Sequence, residues 1–114
     1  MRDKLFLLSP GFEDKGQVYF CPFSAQVMGM LTYYPELRET VDVVELPFPR
    51  PRHPVVDLLD DEHQALPMLV LGDERPVAEV DGVVVGEVRG QKFVEKTMHI
   101  MRYLAATRGV PGPH

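Results

Sequence analysis

Two short apolar runs, Lys4 to Ser9 and Val41 to Leu46, bracket a helical pattern, and that order restricts the chain more than any other feature. A strand, a helix and a second strand in one small domain join as a right-handed unit with parallel strands. The first run is continuous, with charge before it and Pro10-Gly11 after it, as in a buried strand. Between the runs, Phe23, Val27, Met30, Leu31 and Tyr34 recur at spacings of three and four. That is one face of an amphipathic helix over residues 22–34, which Pro35 stops. Gly29 inside it is a cost that close packing on a sheet would explain.

Other segments read less regularly. Residues 11–20 lack periodicity and read as a loop leading to Cys21. Four prolines between Pro47 and Pro54 rule out sheet interior and predict a stiff connection carrying Arg50, Arg52 and His53. A helix is expected over Val55 to Gln64, with Asp57, Asp60, Asp61 and Glu62 as its wet face, followed by a strand over Leu66 to Leu71 opened by Pro67. Within residues 72–87, Asp81-Gly82 suggests a hairpin turn. A last strand lies within Arg89 to Val94, and a last helix runs over residues 98–107, with Thr97 as N-cap and Gly109 as the glycine after its end. The sum is a single α/β domain over residues 1–114: a small mixed sheet, βαβ then ββα, with three main helices.

A chain of 114 residues is long enough to bury a core without staples. A formal charge of −5 argues against nucleic acid as a partner, since phosphate binding needs a basic surface. Leu5 to Leu8 is too brief for a signal segment or a membrane span, so neither targeting nor membrane association is expected. One cysteine rules out an internal disulfide and fits a reducing, cytoplasmic setting. His53, His63 and His99 do not stand at metal-ligand spacing with Cys21, so no metal and no tightly bound cofactor is expected.

The cysteine itself sits in Tyr19-Phe20-Cys21-Pro22-Phe23-Ser24, directly ahead of the first helix. Pro22 suits the first helical position, where a missing N–H costs nothing, which makes Cys21 the N-cap. A helix mouth favours the thiolate, the form that attacks disulfides and electrophiles. The plain alternative is a small buried hydrophobe. Ser24 either donates to the sulfur or serves as an early-helix polar residue. Arg50 and Arg52 either clamp a carboxylate or are solvated loop charges.

Three motifs extend this reading. Cys21-Pro22-Phe23-Ser24 resembles the Cys-Pro-x-Cys or Cys-x-x-Ser active-site turn between first strand and first helix. Leu66-Pro67 resembles the cis-proline that opens a third strand and faces that cysteine. The run Thr97-x-x-Ile100-x-x-Tyr103-Leu104-Ala105 resembles the last-helix motif of glutathione transferases. The chain therefore resembles the thioredoxin-like superfamily, particularly glutaredoxins and the N-terminal domains of glutathione transferases. Over nearly its whole length it is also similar to a small bacterial family known only as a domain of unknown function.

The resemblance implies a thioredoxin-like fold with Cys21 as catalytic nucleophile assisted by Ser24. It implies substrate contacts from Pro22, Phe23, Arg50, Arg52, Leu66, Pro67 and Thr97, and glutathione or another small anionic thiol as co-substrate. Three departures stand beside it. Position 24 is serine, so dithiol chemistry within one molecule is excluded. Lys96 stands where the transferases have an acidic residue, and no transferase-type helical second domain is present. The leading expectation is a monothiol, glutathione-linked thiol–disulfide oxidoreductase. The alternative is a non-catalytic module that holds an extended peptide or a partner protein in the same groove. The oligomeric state is left open.

Overall fold

Strand β1 (Asp3–Leu8) is the axis of the molecule, because its alternating side chains serve two cores at once. A computed structural model describes all residues 1–114. Leu5 and Leu7 point to one face of the sheet, where they pack with Val27, Leu31, Ile100 and Leu104. Phe6 points to the other face and meets Val55, Leu59, Met68 and Phe93. Both sets are essentially solvent-free. At roughly 1.5–3 kcal/mol for each fully buried large side chain, this two-sided burial is the main force that fixes β1 at the centre.

The elements that follow are β2 (Phe12–Asp14), β3 (Gln17–Tyr19), α1 (Pro22–Tyr33), a 3₁₀ turn (Pro35–Glu39) and β4 (Val41–Leu46). After them come α2 (His53–Val56), β5 (Met68–Val70), β6 (Gly86–Val88), β7 (Gln91–Val94) and α3 (Thr97–Arg108). Five strands form one mixed sheet in the order β4-β1-β5-β7-β6, and β2-β3 form a separate pair. Strands β1 and β4 are parallel, with Leu5 opposite Val43 and Leu8 opposite Leu46. Strand β5 runs antiparallel to both β1 and β7. It follows that β1, β4 and β7 all run the same way, and that α1 and α3 start at the same end of the sheet.

The opposite end is fastened by charge. Arg108 Nη2 donates to Asp3 Oδ2 at 2.9 Å, with the two side chains 3% and 4% exposed. The rest of that guanidinium is used as well, on Thr40 Oγ1, Thr40 O and Thr107 Oγ1. Asp3 Oδ1 accepts from the Gly72 amide at 2.7 Å. A buried ion pair with every polar atom engaged is the arrangement that offsets its own desolvation.

Five expectations need correction. Residues 11–20 are not a plain loop: β2 and β3 form a hairpin turned by Lys15 and Gly16, both at positive φ. Helix α2 covers four residues rather than ten, because Asp60 Oδ1 captures the amides of Glu62 and His63 in a side-chain turn that competes with helix. No strand flanks Asp81-Gly82. The hairpin turn lies at Arg89-Gly90, between β6 and β7, while the segment before it runs irregularly over α3 and bonds to Tyr103 and His99. The N-cap of α3 is Lys96, whose carbonyl accepts from the Ile100 amide, so Thr97 is the first helical residue and caps nothing. Gly29 has open space where a Cβ would stand, so sheet packing does not account for it.

Candidate functional site

The carboxyl ends of β1 and β4 gather most of the residues that the sequence marks as candidates, and the helix that starts there places the thiol. Pro22 is the first residue of α1, and Cys21 in front of it has the extended backbone of an N-cap. Cys21 Sγ accepts from the Ser24 amide at 3.4 Å and is half-buried. A sulfur in the N-cap role takes the place of a Ser or Asp oxygen, which ties its geometry to the first turn. The Ser24 hydroxyl does not join it. Ser24 Oγ, 4% exposed, accepts from the Leu8 amide at 3.0 Å and fastens α1 to the end of β1.

Arg52 is the unexpected member. It is 7% exposed, yet it makes no ion pair. Its guanidinium donates to Phe48 O at 2.7 and 3.2 Å and to Gln64 O at 2.8 Å, while its backbone amide donates to Gln64 Oε1 at 2.7 Å. Burial, then the like charge of Arg50, push Arg52 below the usual arginine range, and Cys21 pulls it partly back. An arginine remains charged under all ordinary conditions. The region around the thiol therefore carries one buried, unneutralised positive charge and a second, exposed one on Arg50.

Aromatic stacking joins these parts. Phe48 lies under the Arg52 guanidinium, 5.8 Å from ring centroid to Cζ, and stacks against Phe12 of the hairpin at 4.5 Å and 4°. The hairpin thus rests on the loop that carries Arg52. It leaves Val18, Phe20 and, across the turn, Phe23 exposed at 70%, 64% and 56% around the cysteine.

Leu66 and Pro67 reach the same end of the sheet through register. Phe6 faces Met68, so one step further sets Pro67 beside Leu7. Pro67 is buried, and the Leu66–Pro67 and Arg50–Pro51 peptides are cis. Thr97 also lies at this end, at the start of α3, but no side-chain hydrogen bond joins it to the thiol. The structure thus brings Cys21, Pro22, Phe23, Ser24, Arg50, Arg52 and Pro67 to one end, with Leu66 leading in and Thr97 across the sheet.

A cleft of about 230 Å³ opens beside the sulfur, walled by Leu7, Leu8, Phe20, Ala25 and Met28. Its polar members are Cys21, Ser24 and Glu45. No group of three His, Cys, Asp or Glu side chains converges as a metal site would require. No helix is long and apolar enough to cross a membrane.

Sequence reasoning missed Glu45, Phe48, Gln64 and the burial of Arg52. For Glu45 a signal was present: Val41, Val43 and Glu45 alternate onto one face of β4, so a carboxylate stands where a third apolar side chain fits the pattern. No curated protein and no solved structure matches the chain. One family does match, over residues 2–112, and the chain belongs to it: the family described as protein of unknown function (DUF3088).

Proposed function

We propose that this is a thioredoxin-like protein in which Cys21 acts as the single nucleophile of glutathione-linked thiol–disulfide exchange. One observation carries the reading: the Cys21 sulfur caps α1 and accepts the Ser24 amide, at the same end of the sheet as an arginine with no carboxylate partner. The Ser24 amide fixes the sulfur at the mouth of α1, where an incoming disulfide can reach it from the adjoining cleft. The order β1-α1-β4 followed by β5, β7 and α3, with the sulfur at the start of α1, supports the thioredoxin-like assignment.

In this reading the Cys21 thiolate attacks a mixed disulfide of glutathione, and the S–S bond breaks as Cys21 is joined to the glutathione sulfur. The electron pair departs with the other thiol, which takes a proton from water. A second glutathione thiolate then attacks the adduct, releasing oxidised glutathione and regenerating Cys21. Ser24 holds the first turn in place, and Arg50 and Arg52 supply positive charge for the carboxylates of glutathione. The chemistry requires a reducing compartment with free glutathione, such as the cytoplasm. Cys21→Ser is expected to abolish glutathione-dependent reduction of a small mixed disulfide while leaving the circular dichroism spectrum unchanged. Retained turnover in that variant overturns the reading.

The exposed Val18, Phe20 and Phe23 favour a second reading, in which the same groove holds an extended peptide without turnover. Partner capture that survives Cys21→Ser, together with absence of turnover in the wild type, would establish it.

A further inference from the structure

β4 is apolar on both faces except for two acids, and the two are treated differently. Asp42, near its start, lies within ion-pair distance of Arg2 and Lys4. Glu45, near its end, is exposed and makes no ion pair and no side-chain hydrogen bond. Its register partner on β1 is Leu7, whose side chain belongs to the core beneath α1. The carboxylate therefore stands on the α1-facing side of β4, on the wall of the cleft that the thiol also lines.

The two flanks of the sulfur thus have opposite character. Towards the Pro47–Pro54 loop lie Arg50 and Arg52. Towards α1 lie apolar walls, a carboxylate and Ser24, whose hydroxyl accepts from Leu8. A cleft of about 230 Å³ has room for roughly eight water-sized groups, enough for a short side chain and too small for a folded partner. Arg38 reaches the Met28 sulfur at 3.0 Å, so cationic charge is already present behind one cleft wall without pairing to Glu45.

We propose that the cleft holds the non-glutathione half of the exchanged disulfide, and that Glu45 selects a small thiol whose apolar chain ends in a protonated amine. The assignment rests on the exchange reading above and names the substrate class for the same sulfur. The anionic glutathione half lies on the arginine flank, and the leaving thiol lies on the Glu45 flank. As the S–S bond breaks, the departing sulfur is at the cleft wall and takes its proton from water.

Labelling Cys21 with methanethiosulfonates tests the cleft without needing turnover. Each reagent gives Cys21–S–S–R and releases methanesulfinate, and the rate is read by mass spectrometry for R = aminoethyl, methyl and sulfonatoethyl. In Glu45→Gln the aminoethyl-to-methyl rate ratio is expected to fall roughly three- to tenfold at low salt, and the sulfonatoethyl-to-methyl ratio to rise. In Glu45→Lys both changes should be larger. Unchanged ratios in both variants overturn the proposal. Charge-selective labelling in a protein that never turns over glutathione disulfides overturns the oxidoreductase reading and leaves the cleft assignment standing.

Discussion

Two arginines are buried at opposite ends of the same sheet, and they are neutralised differently. Arg108, at the start of β1, faces Asp3 at 2.9 Å and spends its other donors on Thr40 and Thr107. Arg52, beyond the end of β4, is equally hidden but bonds only to neutral carbonyls. A buried charge with its counterion inside the protein is complete, and its effect stays local. One without a counterion leaves its field to act beyond its own hydrogen bonds. The contrast separates an end where buried charge is neutralised within the fold from an end where it is not.

Asp3→Ala is the strongest way to break that contrast. It strands Arg108 in the interior, and urea unfolding should show a loss of roughly 3–5 kcal/mol, the range for removing one partner of a buried pair. Arg52→Met should cost less, about 1–3 kcal/mol, because it leaves the Phe48 and Gln64 carbonyls unpaired but also removes an uncompensated charge. The same variant should lower labelling of Cys21 by the sulfonatoethyl reagent relative to the methyl one. Equal destabilisation by the two variants would mean that the two ends are not different in kind.

The smallest effect concerns the turn that supports Arg52. Asp60 Oδ1 meets His63 Nδ1 at 2.7 Å just ahead of Gln64, and this hydrogen bond raises His63 above its ordinary 6.5 and lowers Asp60 below its ordinary 3.8. The His63 contribution is complete below pH 6.5 and is lost as pH rises through its raised folded value. The Asp60 contribution is present above pH 3.8 and is lost as pH falls through its depressed folded value. His63→Gln should therefore lower the melting temperature most between about pH 4 and 6.5 and progressively less above that window. A pH-independent difference would detach this turn from the electrostatics of the Arg52 end.

Much of the framework was readable from periodicity. β4 has the expected bounds, while β1, α1 and α3 lie within one residue of theirs, since long apolar patterns are set by burial on a sheet. The hairpin was not readable that way, because its three-residue strands are mostly exposed and lack an apolar face. Only Gly16 in a two-residue turn marked it. Cys21 and Pro22 were legible because capping is local. Arg52 was not: its environment is made by Gln64, twelve positions away, and by Phe48 stacked on Phe12 of the hairpin. Among four prolines it has the same appearance as a solvated arginine. Thr97 shows the reverse limit, as a good capping residue placed one position too late to cap.

The Asp3–Arg108 pair also sets a schedule. Its partners are 105 positions apart, so during synthesis strand β1 must wait for its counterion. At ~5–20 residues per second that interval is about 5–20 s on the ribosome. Through it Asp3 is without the partner that offsets its burial. The counterion for the central strand is thus supplied by the last helix, at the end of the sheet remote from the thiol.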